Sequence, residues 1–245
     1  MPVIFAVMSS SMSKLAALNT LLAQYKQLQY HQNSELKQRL YDVQQWQKKR
    51  LRRTHAHEFS QKNNHLMAEY FMNRLYGGDD FDAMAVQIER LLKYAHKAEK
   101  IIPENAIKTG TLGISLAVLA VQLDEQVAQQ VLQDYPVTQT IDDEMMRLSY
   151  LKLNQQQARL HQLNQLDELG LSLDKYLRSF IVQTAFKMCK GSAYKHQFDL
   201  MYDFMQEGFQ AMKPLKSAES FVRHFTAMER TVIEKVHSGD LKPFA

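Results

Sequence analysis

Apolar residues return every three or four positions through most of this chain, and very little interrupts them. Leu15, Leu18, Leu22, Tyr25 and Leu28 form one row; Leu36, Leu40, Val43 and Trp46, with Leu51 beyond, form a second; Met84, Ile88, Leu91, Leu92 and Ala95 form a third. That period puts each row on one side of an α-helix, where a strand would need strict alternation. Only 8 glycines and 5 prolines occur in 245 residues, so helices have few places to stop. The residues between the rows are mostly Gln, Leu, Lys, Ala and Met, which lose little side-chain entropy on entering a helix. The expected fold is all-α: a single multi-helix domain of about nine or ten helices with short connections.

Caps and breakers divide the chain. A first helix is expected over residues 14–30. Ser34 is the expected cap of a second, which extends toward Phe59. A short third helix over 65–76 stops at Gly77-Gly78, and Asp79 or Asp80 caps a fourth that runs toward Pro103. Beyond Pro103 the pattern predicts a helix through Leu123 and a shorter one from Asp124 to Tyr135, with a break at Pro136. Thr140, Asp142 and Asp143 open a helix reaching Leu166, polar in its middle ("NQQQARLHQLNQ"). The apolar segment "DKYLRSFIVQTAFKMC" is interrupted by "KGS"; "AYKHQFDLMYDFMQEGFQAM" stops at Lys213-Pro214; and Ser217 caps the last helix, which Gly239 ends. No fixed-period repeat and no Pro/Ser-rich linker appears, so residues 14–245 are read as one domain and residues 1–13 as a flexible leader, with Met8 and Met12 as further candidate starts.

The longest apolar run, "LGISLAVLAVQL", is about a dozen residues where a bilayer needs roughly 20, which predicts a buried helix and no transmembrane segment. A single cysteine, Cys189, excludes a disulfide framework and fits a reducing cytoplasm. Its helical setting beside Phe186 and Met188 is that of a buried thiol.

The formal net charge is +4 and the pI is near 9.0, but much of the excess is local. Lys48, Lys49, Arg50, Arg52 and Arg53 put five cations into the six residues "KKRLRR". Such a helix can attract RNA, DNA or anionic lipid without regard to sequence, and these five residues are the candidate anion-binding set. No aromatic interleaving of a single-strand platform accompanies them. The competing reading is a solvated face paired with acids elsewhere, for which Asp79, Asp80 and Asp82 are available.

The stretch "AEYFMNRLYGGDDF" is the most distinctive in the chain. Tyr70, Phe71, Met72, Asn73, Arg74, Leu75 and Tyr76, then Gly77, Gly78, Asp80 and Phe81, combine aromatics, a double glycine and acids. In a regular helix Phe71 and Leu75, and Met72 and Tyr76, form two adjacent apolar rows, the face of a centrally buried helix. Gly77-Gly78 then supplies the left-handed turn. With Trp46, the "KKRLRRTHAHEF" run, "LMYDFMQEGFQAM" and the terminal "LKPFA", this stretch resembles an uncharacterised bacterial family named for an FFLEELY motif, over nearly the whole chain. The resemblance implies an all-helical fold and carries no mechanism. Where the family has two adjacent acids, this chain has Asn73 and Arg74.

Reactive constellations are sparse. Glu234 and His237 make one Glu-x-x-His pair, whereas a di-metal bundle needs two such pairs and further carboxylates. His55 and His57 lie about 200° apart around a helix and cannot share a ligand; with Glu58 they are read as a wet helix end. There is no nucleophile elbow, and "KTGTLGIS" lacks the Gly-Lys-Ser/Thr ending and the preceding strand of a phosphate loop. No catalytic residue, metal ligand or cofactor is assigned. The expectation is a cytoplasmic protein that acts by binding, with a protein partner or a second copy of itself as the occupant. Candidate surfaces are the Gln-rich helix at 154–165 and the helix at 198–212 with Met201, Met205 and Met212. The alternatives are an anionic partner on residues 48–53, or a small ligand in an apolar pocket between helices.

Overall fold

The computed structural model describes residues 15–77, 81–93, 104–177 and 179–245. Gly78, Asp79, Asp80, Pro103 and the leader lie outside the described residues. The chain is all-α. Its helices are α1 (Ala16–Lys26), α2 (Ser34–Thr54), α3 (Ala56–Ser60), α4 (His65–Tyr70), α5 (Phe81–Lys93), α6 (Glu104–Asp134), α7 (Asp143–Leu153), α8 (Gln156–Leu177), α9 (Phe180–Met188), α10 (Lys190–Lys195), α11 (Asp199–Met212) and α12 (Ala218–His237).

Local chemistry explains most boundaries. Asn33, one residue before the expected Ser34, caps α2 by accepting the Leu36 amide at 3.0 Å. Asp142 caps α7 through the Met145 amide at 2.8 Å, and Ser217 caps α12 through Ser220 at 3.1 Å. Gly239, at φ +85, follows the end of α12 in the left-handed conformation that glycine adopts freely.

Several expected boundaries move: α8 runs past Leu166 to Leu177 and takes in the start of "DKYLRSFIVQTAFKMC", and α11 begins at Asp199 where a helix from Ala193 was expected. The segment beyond Pro103 is one helix of 31 residues, because Asp124 turns its carboxylate to the Tyr76 hydroxyl, 2.7 Å away, and caps nothing. Conversely, the helix expected to run to Leu166 breaks at Asn154, which takes left-handed φ and ψ of 47°. Lys190, Gly191 and Ser192, expected as an interruption, form the start of α10.

The apolar rows feed two hydrophobic clusters. The larger joins the buried faces of α1, α2, α5, α6 and α7 with Val232 and Val236 of α12 and Phe244. The smaller joins Leu51, Phe59, Met67, Tyr70 and Met72 with Ala211, Met212, Phe221 and Phe225. Helices α2 and α12 therefore serve both, and each changes cluster midway along its length. Among the described residues, helices α8 and α12 make the most extensive contact. They approach closely where Gly170 meets Val222: a Cβ on Gly170 would lie 2.8 Å from the Val222 Cβ.

Helix α6 is long and apolar enough, by length and composition, to cross a membrane. Only 22% of its most apolar stretch is buried, so the fully buried helix expected there is only partly covered. Its C-terminal half is a core element, with Asp124 and Glu125 buried and Glu125 accepting the Tyr30 amide at 2.8 Å. Between α1 and the N-terminal half of α6 lies an open groove of about 690 Å³, lined by Leu21, Ile107 and Leu112 among others. The charges at its rim, Glu104 and Lys108, pair with each other at 3.0 Å.

Candidate functional site

The basic run does not form one surface. It ends α2, the helix that crosses from one hydrophobic cluster to the other, and its third cation points inward. Arg50 is buried, with Nη1 donating to Glu229 Oε1 at 2.5 Å and Nε and Nη2 donating to Gln47 Oε1 at 3.2 and 3.0 Å. Arg53 reaches Asp143 at 2.8 Å and the Phe244 carbonyl at 3.3 Å; Lys48 reaches the Gly77 carbonyl at 3.2 Å. Arg52 reaches Asn73 Oδ1 at 3.3 Å, and Lys49 and Arg52 stand at the surface. Among the described residues, Arg50 pairs with Glu229 and Arg53 with Asp143. Asp82, expected among them, instead accepts the Tyr25 hydroxyl.

His55 corrects the wet helix end. It is fully buried, stacked against Phe225 with ring centres 4.4 Å apart and against Phe59 at 5.3 Å, while His57 is exposed. Its Nε2 lies 2.7 Å from Glu229 Oε1, so against an ionised carboxylate that nitrogen is the donor. Burial by itself raises the Glu229 pKa, but Arg50 and His55 outweigh it and hold the carboxylate at about 2. Burial also pushes Tyr150 up to about 12; its hydroxyl accepts from Gln47 at 2.6 Å. Arg159 lies over the Tyr150 ring, 4.5 Å from its centre.

The aromatic motif borders this cluster from the other side. Residues Phe71–Leu75 form one turn of π-helix, closed by the Tyr76 amide on the Phe71 carbonyl at 2.9 Å. The wider turn breaks the two four-residue rows expected of a regular helix: Met72 stays buried, whereas Leu75 is 40% exposed. Tyr76 leaves the turn in an extended conformation and carries its hydroxyl to Asp124. Burial raises Asp124 above its ordinary value despite Arg159, and raises Tyr76 well above its own. Tyr70 donates to the Phe204 carbonyl at 2.9 Å and crowds Gly208. Gly77 takes φ +55, the left-handed turn that the double glycine predicted, and Phe81 packs edge-on against Tyr25 at 4.7 Å.

Gln47, Arg50 and Glu229 thus form a polar seam where the two hydrophobic clusters meet, at the points where α2 and α12 change cluster. All three side chains are satisfied within the fold. The seam holds elements together, and its charges are not presented to a partner.

The surface that is presented lies on α9. No residue of α9 is buried. Phe186 anchors it, stacking on Tyr202 at 4.4 Å and meeting Phe209 at 5.0 Å. The opposite side shows Phe180, Ile181 and Met188, which are 81%, 80% and 80% exposed, together with Thr184. Residues 180, 181, 184 and 188 fall within about 100° around a helix, so they form one outward face. Cys189, expected to be buried, is exposed at its end, while Val182, Gln183 and Phe186 take the half-buried side. Met201, Met205 and Met212 divide between half-buried, exposed and buried positions, and Gln155 of the Gln-rich segment is buried.

Some of these residues were legible in the sequence. Glu229 interrupts the row Phe221, Phe225, Val232, Val236, and Arg50 follows Val43, Trp46 and Gln47 on the buried side of α2, so a charge on an apolar stripe was the available signal. The outer face of α9 had little, since Phe180, Ile181, Val182, Ala185 and Phe186 spread apolar side chains around most of the helix and polar Thr184 falls on the outward side.

A family model described as Domain of unknown function (DUF8198) matches residues 27–243, most of the chain. The chain belongs to that family. No curated protein matches, and no solved structure does. The DUF8198 match takes in the polar seam, the π-helical turn and α9, and begins just after α1, whose leucines nevertheless complete the larger hydrophobic cluster.

Proposed function

We propose that this protein is a non-enzymatic binding module and that it binds through the outer face of α9. The carrying observation is the set of Phe180, Ile181 and Met188, three large apolar side chains about 80% exposed on one short helix. Soluble proteins seldom leave such a patch uncovered without a use for it. In the basic run Lys48, Arg50 and Arg53 bond within the fold, and the described lining of the groove beside α6 brings no reactive groups together, which makes binding the better reading. The resemblance to the bacterial family named for its FFLEELY motif is kept as part of this proposal. In that family's terms Asn73 stands where an acid would meet Arg52. A cytoplasmic setting is supported by the one free, exposed thiol.

Cys189 offers a direct test, since it adjoins Met188 and is the chain's only cysteine. Its rate of alkylation is compared between dilute purified protein and native extract. Slower labelling in extract, restored to the purified rate by Phe180→Glu with Ile181→Glu, is the expected result. Equal rates in both settings would remove the proposal.

A further inference from the structure

Two properties of α9 and its neighbour α10 narrow the class of occupant. The first is charge. Between Asp174 and Asp199 the sequence carries Lys175, Arg178, Lys187, Lys190 and Lys195 and no acid at all, in a chain with 26 acids. Lys187, Lys190 and Lys195 are exposed. Lys187 borders the apolar face on the Phe180 side, and Lys190 lies over the Tyr194 ring at 5.5 Å. The second property is shape. Helix α9 rests on α8, α10 and, through Phe186, α11, so its outer face is a convex ridge.

Against a second copy of the chain, a ridge of this kind would bring lysine to lysine across a two-fold axis. Its three apolar side chains offer on the order of 400 Å², about half of the roughly 800 Å² per partner in a stable interface. A peptide helix would need a groove, and a ridge has no walls to grip one. A bilayer surface needs neither. Phe180, Ile181 and Met188 can enter the boundary between headgroups and acyl chains, while the lysines extend their stems and keep their charges at the phosphates.

We infer that the outer face of α9, with the lysines of α9 and α10, docks on an anionic lipid surface. The inference rests on the reading of α9 as the binding face and names its partner. The ridge lies in the membrane interface and crosses nothing, and each lysine adds attraction to acidic headgroups that salt weakens.

The test uses the full chain labelled at Cys189 with a polarity-sensitive dye, mixed with vesicles of phosphatidylcholine alone or with phosphatidylglycerol added. Expected are a blue-shifted signal and co-sedimentation with the anionic vesicles. Binding should weaken roughly fivefold for each of Lys187, Lys190 and Lys195 changed to Gln. Phe180→Glu with Ile181→Glu should abolish it, and thermal unfolding of both sets of variants should match the parent, because the altered side chains are exposed. A parent protein that ignores both vesicles, or binds both equally, overturns the lipid assignment. If sedimentation velocity then shows self-association that Phe180→Glu removes, the face stands as a binding surface and only the lipid is wrong. If neither property responds to that variant, both readings fall.

Discussion

Replacing Glu229 with Gln keeps the shape of the polar seam and removes its only negative charge. The amide oxygen that replaces the carboxylate still accepts from Arg50 but leaves the buried cation without a counter-ion, and His55 would face a neutral group. The magnitude follows from the carboxylate itself: a pKa near 2, against an ordinary value of 4.5, means that the fold favours the ionised form by about 3 kcal/mol. That agrees with the roughly 3–5 kcal/mol lost when one member of a buried pair is removed. Because the pKa is depressed in the folded state, this contribution is fully present above pH 4.5 and disappears as pH falls toward 2. Urea unfolding of parent and Glu229→Gln should therefore differ by about 3 kcal/mol at pH 7, with the gap closing in the acid range. A gap under about 1 kcal/mol at pH 7, or one that persists undiminished into acid, would refute the account of Glu229 as a buried, paired carboxylate.

Three further predictions follow from packing and exposure. Gly170→Ala should destabilise by about 1–3 kcal/mol, because its methyl would meet the stiff Val222 side chain at the α8–α12 crossing; adding Val222→Ala should recover part of the loss, read by thermal melts of the double variant. Phe244→Ala should cost roughly 3 kcal/mol and shift the emission of Trp46, the single tryptophan, whose ring meets Phe244 edge-on at 5.0 Å and whose Nε1 donates to Asp143. Cys189 should react stoichiometrically with a thiol reagent in the native state without denaturant; a thiol that reacts only after unfolding would contradict the exposed position of α9.

The sequence by itself determined the helices and most of the core. The rows of α1 and α2 could be read off because a period of three or four residues is a local property, and their predicted leucines and aromatics are buried as expected; of the α5 row Met84 and Ile88 are buried, Leu91 and Leu92 are half-buried, and Ala95 lies outside the described residues. Caps at Asp142 and Ser217 were legible for the same reason, since a side chain and an amide three residues on decide them. Even the seam left a trace, as charges standing on apolar stripes.

Only the tertiary structure decided where those charges go. Five cations in a row look identical in sequence, yet Arg50 alone sits at the level where α2 passes from one cluster to the other, opposite the same transition in α12 nearly 180 residues later. No local rule links Arg50 to Glu229. The same holds for Leu75, turned outward by a π-helical turn that its own spacing does not announce, and for α6, which continues past Asp124 because Tyr76 takes that carboxylate. It holds most of all for α9. A segment with apolar residues around most of its circumference can bury more than one face, and it is the position of Phe186 against Tyr202 and Phe209 that leaves Phe180, Ile181 and Met188 in the open. Period and capping are written in neighbouring residues; which surface remains uncovered is settled by residues far apart in the chain.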